Sequence, residues 1–325
     1  MRRREFVTLL GGAAAAWPLN AGAQGSVPIV GFATSGSRAV IQDPIAAFET
    51  GLKDMGFVGG QNIALEYRFA EGKLDRFPAL VSDLVQRKVA VLVVSSPQGA
   101  LAAKRATTEI PIVFSIGSDP VEVGLVPSLN KPGGNLTGVY QFTAGLESKR
   151  LGLLHEMVPK VDVIGVLVNP NYGAIDAQLH DVQEAAGRLG LQLVIVRANV
   201  ESEFETAFST IAAQRAGALL VCASPFFYSR RQQLVVLASR NGLPAIFEWR
   251  DFAAVGGLMS YGTSLNNAYR QAGIYAGQIL KGAKPSDLPI VESTKFELVI
   301  NLSTAKALHI EVPPTLSARA DEFIE

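Results

Sequence analysis

Short, nearly continuous apolar runs alternate along the chain with stretches in which apolar residues recur at helical spacing. The apolar runs predict strands that are covered on both faces, as in a parallel sheet. The strands predicted in this way are residues 29–33, 62–69, 89–94, 111–114, 163–168, 192–197, 218–222, 245–247, 258–261 and 296–301. The helices predicted from the periodic stretches are residues 44–55, 74–87, 98–108, 174–189, 203–215, 229–241, 267–280 and 302–308. This alternation predicts βαβ units and an α/β fold.

The chain divides into two similar halves. The alternation becomes irregular between residues 115 and 142, around the turn signal Asn-Lys-Pro-Gly-Gly-Asn at 130–135, and then starts again. Each half has the size and element order of a doubly wound parallel sheet. Such sheets bind ligands beyond the carboxyl ends of their strands, where the strand order reverses. Two such domains that face each other form a cleft, which is the expected binding site.

The first 23 residues have the layout of an export signal. Arginines at positions 2–4 precede an apolar, small-residue run at 9–17, and Ala-Gly-Ala at 21–23 forms a small-x-small cleavage site. The run Arg-Arg-Glu-Phe-Val at 3–7 resembles the twin-arginine signal. We expect cleavage before Gln24 and release into the periplasm. No cysteine lies directly after this site to carry a lipid, and no later apolar run reaches about 18 residues, so no membrane anchor is expected.

The composition is that of a folded globular chain without a bias toward a charged partner. Of the 325 residues, 48% are hydrophobic and 18% are charged, which excludes the composition of a disordered chain. The 29 Lys and Arg residues balance the 29 Asp and Glu residues, so no nucleic-acid partner is expected. The single Cys222 excludes a disulfide framework and a cysteine-rich metal site, and His155, His180 and His309 are far apart. We therefore expect neither a metal nor a cofactor.

Hydroxyl side chains follow three predicted strands of the first half. These residues are Thr34, Ser35, Ser95, Ser96 and Ser115. Each loop places hydroxyls and backbone N–H groups near the start of a helix, an arrangement that binds carboxylates and other anions. The alternative is that these side chains only cap helices. The convergence of three such loops in one domain favours an anion-binding site.

Amides, aromatic rings and carboxylates follow three predicted strands of the second half. The candidate binding residues among them are Asn169, Tyr172, Ser224, Phe226 and Glu248. Aromatic faces enclose planar or cationic ligands, and a carboxylate pairs with an ammonium group. Asp251 is a second candidate for that carboxylate.

A purely structural interpretation is open for several residues of these loops. Phe226, Phe227 and Trp249 are also suited to close the end of the sheet as part of the core. Glu248 is equally interpretable as a solvated carboxylate that pairs with Arg250. Cys222, at the end of an apolar strand, is expected to be a buried thiol.

The motifs of common hydrolytic and phosphoryl-transfer enzymes do not occur. The sequence has no G-x-S-x-G elbow, no H-E-x-x-H pair and no G-x-x-x-x-G-K-[ST] loop. The enzyme alternative is a secreted hydrolase or isomerase that uses Asp119 or Glu248 as a general base. Such a base needs a partner acid within hydrogen-bond reach, and the sequence offers none.

Five segments resemble one known family. They are residues 111–121, 124–138, 256–262, 295–301 and 305–314, with Gly-Ser-Asp-Pro-Val at 117–121 and Lys-Pro-Gly-Gly-Asn-Leu-Thr-Gly at 131–138. Together they are similar to the ABC-transporter substrate-binding proteins related to the tryptophan- and tyrosine-type periplasmic binding proteins. The resemblance spans residues 27–325.

The resemblance implies a type I periplasmic binding protein fold without catalysis, in which a three-segment hinge joins two doubly wound α/β domains around a ligand cleft. The hinge segments are expected near Phe142, Gly256 and Pro289. The implied domains are residues 26–142 plus 257–288 for the N-terminal one and residues 143–256 plus 289–325 for the C-terminal one.

The resemblance also implies roles for some candidate residues. Small polar residues of the first domain, here Ser95, Ser96 and Ser115, hold the carboxylate of an amino acid. Glu248, with Asn169 nearby, holds the amino group.

The implied function is capture of a small molecule for the membrane permease subunits of an ABC importer. The expected ligand is an aromatic or branched amino acid or a related carboxylate, and Phe226 favours an apolar or aromatic one. A sensor protein on the same fold, which feeds a membrane receptor, is the alternative.

Overall fold

Two β-sheets with helices on both faces form the framework of the protein. The structure is a computed structural model and describes residues 27–141 and 145–325. The predicted export signal and its cleavage site lie outside these residues.

The first sheet has six strands, all paired in parallel. They are β1 (Ile29–Thr34), β2 (Ala64–Phe69), β3 (Val91–Ser95), β4 (Ile112–Ile116), β5 (Leu136–Gln141) and β11 (Val291–Ser293). Their spatial order is β11-β5-β4-β3-β1-β2, so the order reverses at β1. Thr34 pairs with Ser95 at the carboxyl ends of β1 and β3, which brings two of the predicted loops together.

The second sheet has seven strands in the order β13-β12-β10-β9-β8-β6-β7. They are β6 (Val163–Val168), β7 (Gln192–Arg197), β8 (Ala218–Val221), β9 (Ala245–Phe247), β10 (Met259–Thr263), β12 (Phe296–Asn301) and β13 (Glu322–Ile324). The pairing of β10 with β12 is antiparallel and the other pairings are parallel. The order reverses at β6.

Helices cover both sheets. The helices are α1 (Gln42–Asp54), α2 (Phe77–Gln86), α3 (Pro97–Ala106), α4 (Glu147–Met157), α5 (Ile175–Leu189), α6 (Phe204–Ala213), α7 (Pro225–Ser229), α8 (Arg231–Arg240), α9 (Arg250–Ala254), α10 (Leu265–Leu280), α11 (Leu302–Ala307) and α12 (Pro314–Ser317). Single 3₁₀ turns occur at Leu74–Arg76, Glu201–Glu203 and Pro285–Asp287. The predicted α/β class with two parallel-dominated sheets is confirmed.

The continuous apolar runs of the strands are explained by burial on two faces. In β3, Val91 and Val93 pack with residues of α1 and α10, whereas Leu92 and Val94 pack with residues of α2 and α3. All four side chains have no exposed surface. A strand between two helical layers needs apolar residues at every position, which is the pattern in the sequence.

Three strands were not predicted, because one has an interrupted apolar pattern and two are very short. β5 contains Gly138, whose place in the strand is required because an added Cβ would overlap the Phe114 carbonyl oxygen. The glycine and the neighbouring Thr137 hide the apolar pattern of this strand. β11 and β13 have three residues each, too few for periodicity to identify them.

The chain crosses between the sheets three times. The first crossing lies between Gln141 and Glu147, and Phe142 lies outside the described residues. The second passes through Ser264 between β10 and α10, and the third lies between Ser293 and Phe296. The Ser264 backbone N–H donates to the Lys295 carbonyl oxygen at 2.8 Å, so the last two crossings run side by side.

The sheet membership corrects two expected crossings. The sequence analysis assigns residues 257–288 to the first domain and 289–325 to the second. Strand pairing places β10 in the second sheet and β11 in the first. The second crossing therefore follows β10 rather than preceding it at Gly256, and the third follows β11 rather than lying at Pro289. Short strands of this kind carry no pattern that distinguishes one sheet from the other.

A close helix contact in the first half provides a stability prediction. Gly51 of α1 faces α10, and an added Cβ would overlap the Arg270 carbonyl oxygen. We expect Gly51→Ala to lower the free energy of unfolding by about 1–3 kcal/mol, measured by urea denaturation. The matched control is Gly187→Ala on the exposed face of α5, where nothing lies within 4 Å and alanine should stabilise by about 0.5–1 kcal/mol. Equal effects of the two substitutions would contradict the close contact.

Candidate ligand cleft

A cavity of about 420 Å³ lies between the carboxyl ends of the two sheets. The first half contributes Ser35, Gly36, Val40, Ile41, Glu71, Gly72, Lys73, Leu74, Ser115, Gly117, Gln141, Leu265 and Tyr269. The second half contributes Tyr172, Asn199, Ser224, Pro225, Phe226, Tyr228, Ser229, Arg230, Glu248 and Trp249. A cavity of this size accepts a small organic molecule, and a molecule inside it touches both halves.

Glu248 is the most unusual residue of the cavity wall. It follows β9, is only 3% exposed, and neither carboxylate oxygen has a hydrogen-bond partner within the described residues. Burial raises the pKa of this carboxyl to about 8, Arg150 opposes the rise and Glu147 adds to it. Gly262 of β10 permits the approach, because an added Cβ would overlap the Glu248 carbonyl oxygen. A buried acid without partners is suited to receive a donor from a ligand.

A buried polar network lies behind Glu248. Arg150 Nη1 is 3.0 Å from Glu147 Oε1 within α4, and neither side chain is exposed. Arg150 Nε donates to the Tyr261 carbonyl oxygen at 2.8 Å. Gln178 Nε2 of α5 donates to Glu147 Oε1 at 3.1 Å and to the Ala223 carbonyl oxygen at 2.9 Å. The network therefore connects α4 and α5 to the loop before Ser224 and to β10.

Aromatic rings form much of the second-half wall. Tyr228 and Trp249 pack edge to face with ring centroids 4.8 Å apart. Phe226 packs against Phe204 and Phe227 and also borders the cavity. The Trp249 indole Nε1 is buried and has no hydrogen-bond partner in the described part of the chain. The wall offers flat apolar faces together with one unused N–H donor.

The first-half wall includes polar side chains, and one of them, Ser115, is held by a hydrogen bond. Gln141 Nε2 donates to Ser115 Oγ at 3.1 Å. Because Ser115 Oγ accepts this bond, its own O–H is available as a donor. Ser35 and Gly117 border the same part of the cavity. This wall is suited to hydrogen-bond a polar or anionic group.

Six of the ten predicted binding residues line the cavity. They are Ser35, Ser115, Tyr172, Ser224, Phe226 and Glu248. The other four, Thr34, Ser95, Ser96 and Asn169, do not line it.

Three of the four remaining residues have other partners. Ser96 Oγ caps α3 by accepting from the Gly99 N–H at 2.9 Å, as the capping alternative predicts. Thr34 Oγ1 accepts from the Gly36 N–H at 3.3 Å. Asn169 Nδ2 donates to Ser224 Oγ at 2.9 Å and thus positions a residue of the wall.

Ser95 lies behind the cavity wall. Its buried hydroxyl lies near the phenol of Tyr269, which lines the cavity, but makes no hydrogen bond within the described residues. Burial raises the pKa of Tyr269 to about 12, and the interaction with Ser95 opposes that rise.

Of the two carboxylates proposed to pair with an ammonium group, Glu248 borders the cavity and Asp251 does not. Arg250 pairs with Glu322, at 2.5 Å between Nη2 and Oε1, and not with Glu248. Asp251 accepts from the Tyr228 hydroxyl at 3.3 Å and does not border the cavity. Glu248 is therefore the available acid. Phe227, with 1% exposure, belongs to the core as its structural interpretation predicts.

The loop that follows β2 was not among the predicted binding loops. Glu71, Gly72 and Lys73 line the cavity, and Glu71 and Gly72 both adopt positive φ angles, of 56° and 78°. The Gly72 N–H donates to the Ser35 carbonyl oxygen at 2.8 Å, which fixes this loop beside a predicted one. The rule that ligands bind beyond the carboxyl ends of strands identifies this loop when it is applied to β2. Tyr269 has no comparable signal because it lies inside α10.

The two halves touch beside the cavity. Arg231 Nη2 of α8 donates to the Val40 carbonyl oxygen of the first half at 3.0 Å. The Arg231 guanidinium also lies over the Tyr228 ring, 4.9 Å from its centroid. This contact holds the first and second halves together at one edge of the cleft.

Two α/β domains that face each other across a cavity, with three crossings, define the class of type I periplasmic binding proteins. The sequence model of the family described as ABC transporter substrate binding protein matches residues 36–324. The chain belongs to this family.

Known proteins support both the family and the fold. A tyrosine-binding protein of Clostridioides difficile (strain R20291) is 28% identical over 264 residues, which is 81% of this chain and 76% of that protein. A conserved domain protein from Vibrio cholerae has a TM-score of 0.80 at 26% identity, covering 91% of this chain and 99% of the other.

Two further solved structures differ in their ligand. An ABC domain from Streptococcus pneumonia in complex with L-Trp has a TM-score of 0.77 at 23% identity and covers 91% of this chain and 100% of the other. The ligand-free, open structure of a substrate-binding protein from Clostridium difficile has a TM-score of 0.67 at 25% identity and covers 92% and 99%. Within residues 27–141 and 145–325, no helix combines the length and hydrophobicity that crossing a membrane requires.

Proposed function

We propose that this protein captures an aromatic α-amino acid in its cleft and delivers it to the membrane permease of an ABC importer. The observation that carries the proposal is Glu248, an acid buried in an aromatic wall with no hydrogen-bond partner for either oxygen among the described residues. A buried acid of this kind is stabilised by a cation or a donor that the ligand brings.

The charges around Glu248 favour a ligand with one positive charge. Glu147 and Glu248 are two buried acids, and Arg150 supplies one guanidinium, which is bound to Glu147. An α-ammonium group placed against Glu248 balances the second acid and provides three donors. A ligand without this charge leaves the acid unpaired.

The remaining walls fit the other parts of an aromatic amino acid. The hydroxyls of Ser35 and Ser115 are suited to hold the ligand carboxylate. Phe226, Tyr172 and Trp249 offer faces for an aromatic side chain. The tyrosine-binding relative and the L-Trp complex point to the same ligand class.

Ligand capture works by closure of the two domains. A ligand that touches both walls has a higher affinity for the closed form than for the open form, and so shifts the equilibrium toward closure. We propose that residues 1–23 direct export to the periplasm, where the closed form docks on the permease.

Catalysis is not part of the proposal. Asp119, one candidate base, accepts from the Val121 N–H at 2.7 Å and closes a turn. Glu248, the other, has no hydrogen-bond partner within the described residues that could serve as the partner acid.

The test is calorimetry on the chain from Gln24 onward, unfolded and refolded to remove carried-over ligand. The ligands are L-tryptophan, L-tyrosine and L-phenylalanine, with indole-3-propionate and tryptamine as analogues that lack the ammonium and the carboxylate. We expect at least one aromatic amino acid to bind and each matched analogue to bind at least about 100-fold more weakly, because each leaves buried polar groups unpaired.

Two results would contradict the proposal. If no aromatic amino acid binds to protein that regains a cooperative unfolding transition, the ligand class is wrong. If indole-3-propionate binds as tightly as L-tryptophan, the ammonium group has no role at Glu248.

A further inference from the structure

The acids and bases of the cleft are arranged so that one acid lacks a counter-charge. Arg150 donates Nη1 to Glu147 and Nε to the Tyr261 carbonyl oxygen, whereas its Nη2 makes no hydrogen bond within the described residues, so this one guanidinium stands against two buried acids. Glu248 makes no hydrogen bond with the described residues, although it borders a cavity of about 420 Å³. An ionised carboxylate in this position is buried and has no partner among the described residues to stabilise it.

We infer that ligand capture expels a proton, because Glu248 is a neutral acid in the empty cleft and a carboxylate in the complex. This inference deepens the proposed function and rests on it. The ammonium group of the ligand replaces the proton as the positive partner of the carboxylate, and the proton leaves to bulk water. The cleft thus selects a ligand that carries a positive charge at this position.

Glu248 is the acid of the cavity wall whose pKa is raised into the neutral range, and burial also raises the pKa of Asp251, which does not border the cavity. The pKa of Glu248 is raised to about 8, first by burial, with Arg150 opposing and Glu147 adding to the shift. The Cys222 thiol at the end of β8 has a pKa raised by burial, so it stays neutral. Burial likewise raises the pKa of the Tyr228 and Tyr269 phenols. The neighbouring strand β10 presents Gly262, which has no side chain.

The other charged side chains of the cavity wall do not act on the protonation of Glu248. Glu71 and Lys73 are exposed on the loop after β2, and Arg230 is paired with Glu201. The charges that act on Glu248 are those of Arg150 and Glu147. A ligand ammonium group would add the missing positive charge, lower the pKa of Glu248 below its empty-cleft value, and release the proton.

The experiment counts protons with L-tryptophan or L-tyrosine as the probe. Binding enthalpies are measured at about pH 7 in buffers of different ionisation enthalpy, and the slope gives the protons released per ligand. With a pKa of about 8 in the empty cleft, we expect release of about 0.9 proton. For the same reason the affinity should increase nearly tenfold from about pH 6 to about pH 7.

Two variants separate Glu248 from other acids. Ligand binding to Glu248→Gln should release no proton. Whatever affinity remains in this variant should not depend on pH between about 6 and 7. Glu297→Gln is the matched control, because Glu297 is another partly buried acid with a raised pKa but lies outside the cavity wall. This control should keep the proton release of the wild type.

A measurement on the empty protein covers the case in which Glu248→Gln no longer binds. The infrared difference between the empty wild type and Glu248→Gln at about pH 7 should contain the C=O stretch of a protonated carboxyl. Tight binding without proton release, or a difference spectrum without this band, would overturn the inference and leave the proposed function standing. Failure of all three aromatic amino acids to bind would overturn both.

Discussion

Glu248→Gln is expected to stabilise the ligand-free protein while it weakens the affinity for L-tryptophan by about 100-fold or more. At about pH 7 the free energy of unfolding should increase by about 1–3 kcal/mol. Both effects come from the same feature, a buried acid whose pKa is raised to about 8. The proposed role of this acid is to bind the ligand and not to stabilise the fold. Urea denaturation and calorimetry measure the two effects.

The direction in which stability changes with pH tests whether Glu248 is protonated in the folded protein. The folded protein holds the Glu248 proton up to about pH 8, whereas the unfolded chain releases it near the ordinary value of 4.5. The folded state therefore binds more protons in this window, and stability falls as the pH rises through it. The advantage of Glu248→Gln should vanish below the ordinary value and be largest above about pH 8. An advantage that does not change with pH would contradict the buried acid.

Arg150→Met is expected to be among the most destabilising single substitutions, with a loss of about 3–5 kcal/mol at neutral pH. The change removes the partner of Glu147 and leaves that acid with no exposed surface and no counter-charge. It also removes the donor to the Tyr261 carbonyl oxygen. Thermal or urea unfolding measures the loss.

The double variant Glu147→Gln/Arg150→Met distinguishes charge from packing. Since it removes both charges, it should recover a large part of the lost stability. The surface pair Arg188 and Glu184 on α5 provides the control, because both side chains are more than half exposed. Arg188→Met should change stability by less than about 1 kcal/mol. If the double variant is less stable than Arg150→Met, the buried charge is not the cause.

Much of the fold was predictable because apolar runs record burial directly. The runs at β3, β6 and β8 are apolar at almost every position, since helices cover both faces of these strands. The crossings between the sheets were less predictable. Whether β10 and β11 join one sheet or the other depends on which strand offers a free edge, and nothing in three to five residues records that choice.

The same contrast applies to the cleft. Loops at the carboxyl ends of strands predicted Ser115 and Glu248, because the topology brings such loops together. Ser96 has the same sequence context but caps α3, since its hydroxyl faces the Gly99 N–H. Glu147 and Arg150 have the spacing of an ordinary surface ion pair, and their complete burial depends on packing between α4 and the second sheet.

The central claim is that the ligand ammonium group meets Glu248 in the cleft. The most direct measurement is a four-way calorimetric cycle that combines wild type and Glu248→Gln with L-tryptophan and indole-3-propionate. The account predicts that removal of the ammonium group weakens binding by about 100-fold in the wild type and by less than about threefold in Glu248→Gln. An equal loss in the two proteins would mean that the ammonium group binds elsewhere, and would contradict the account.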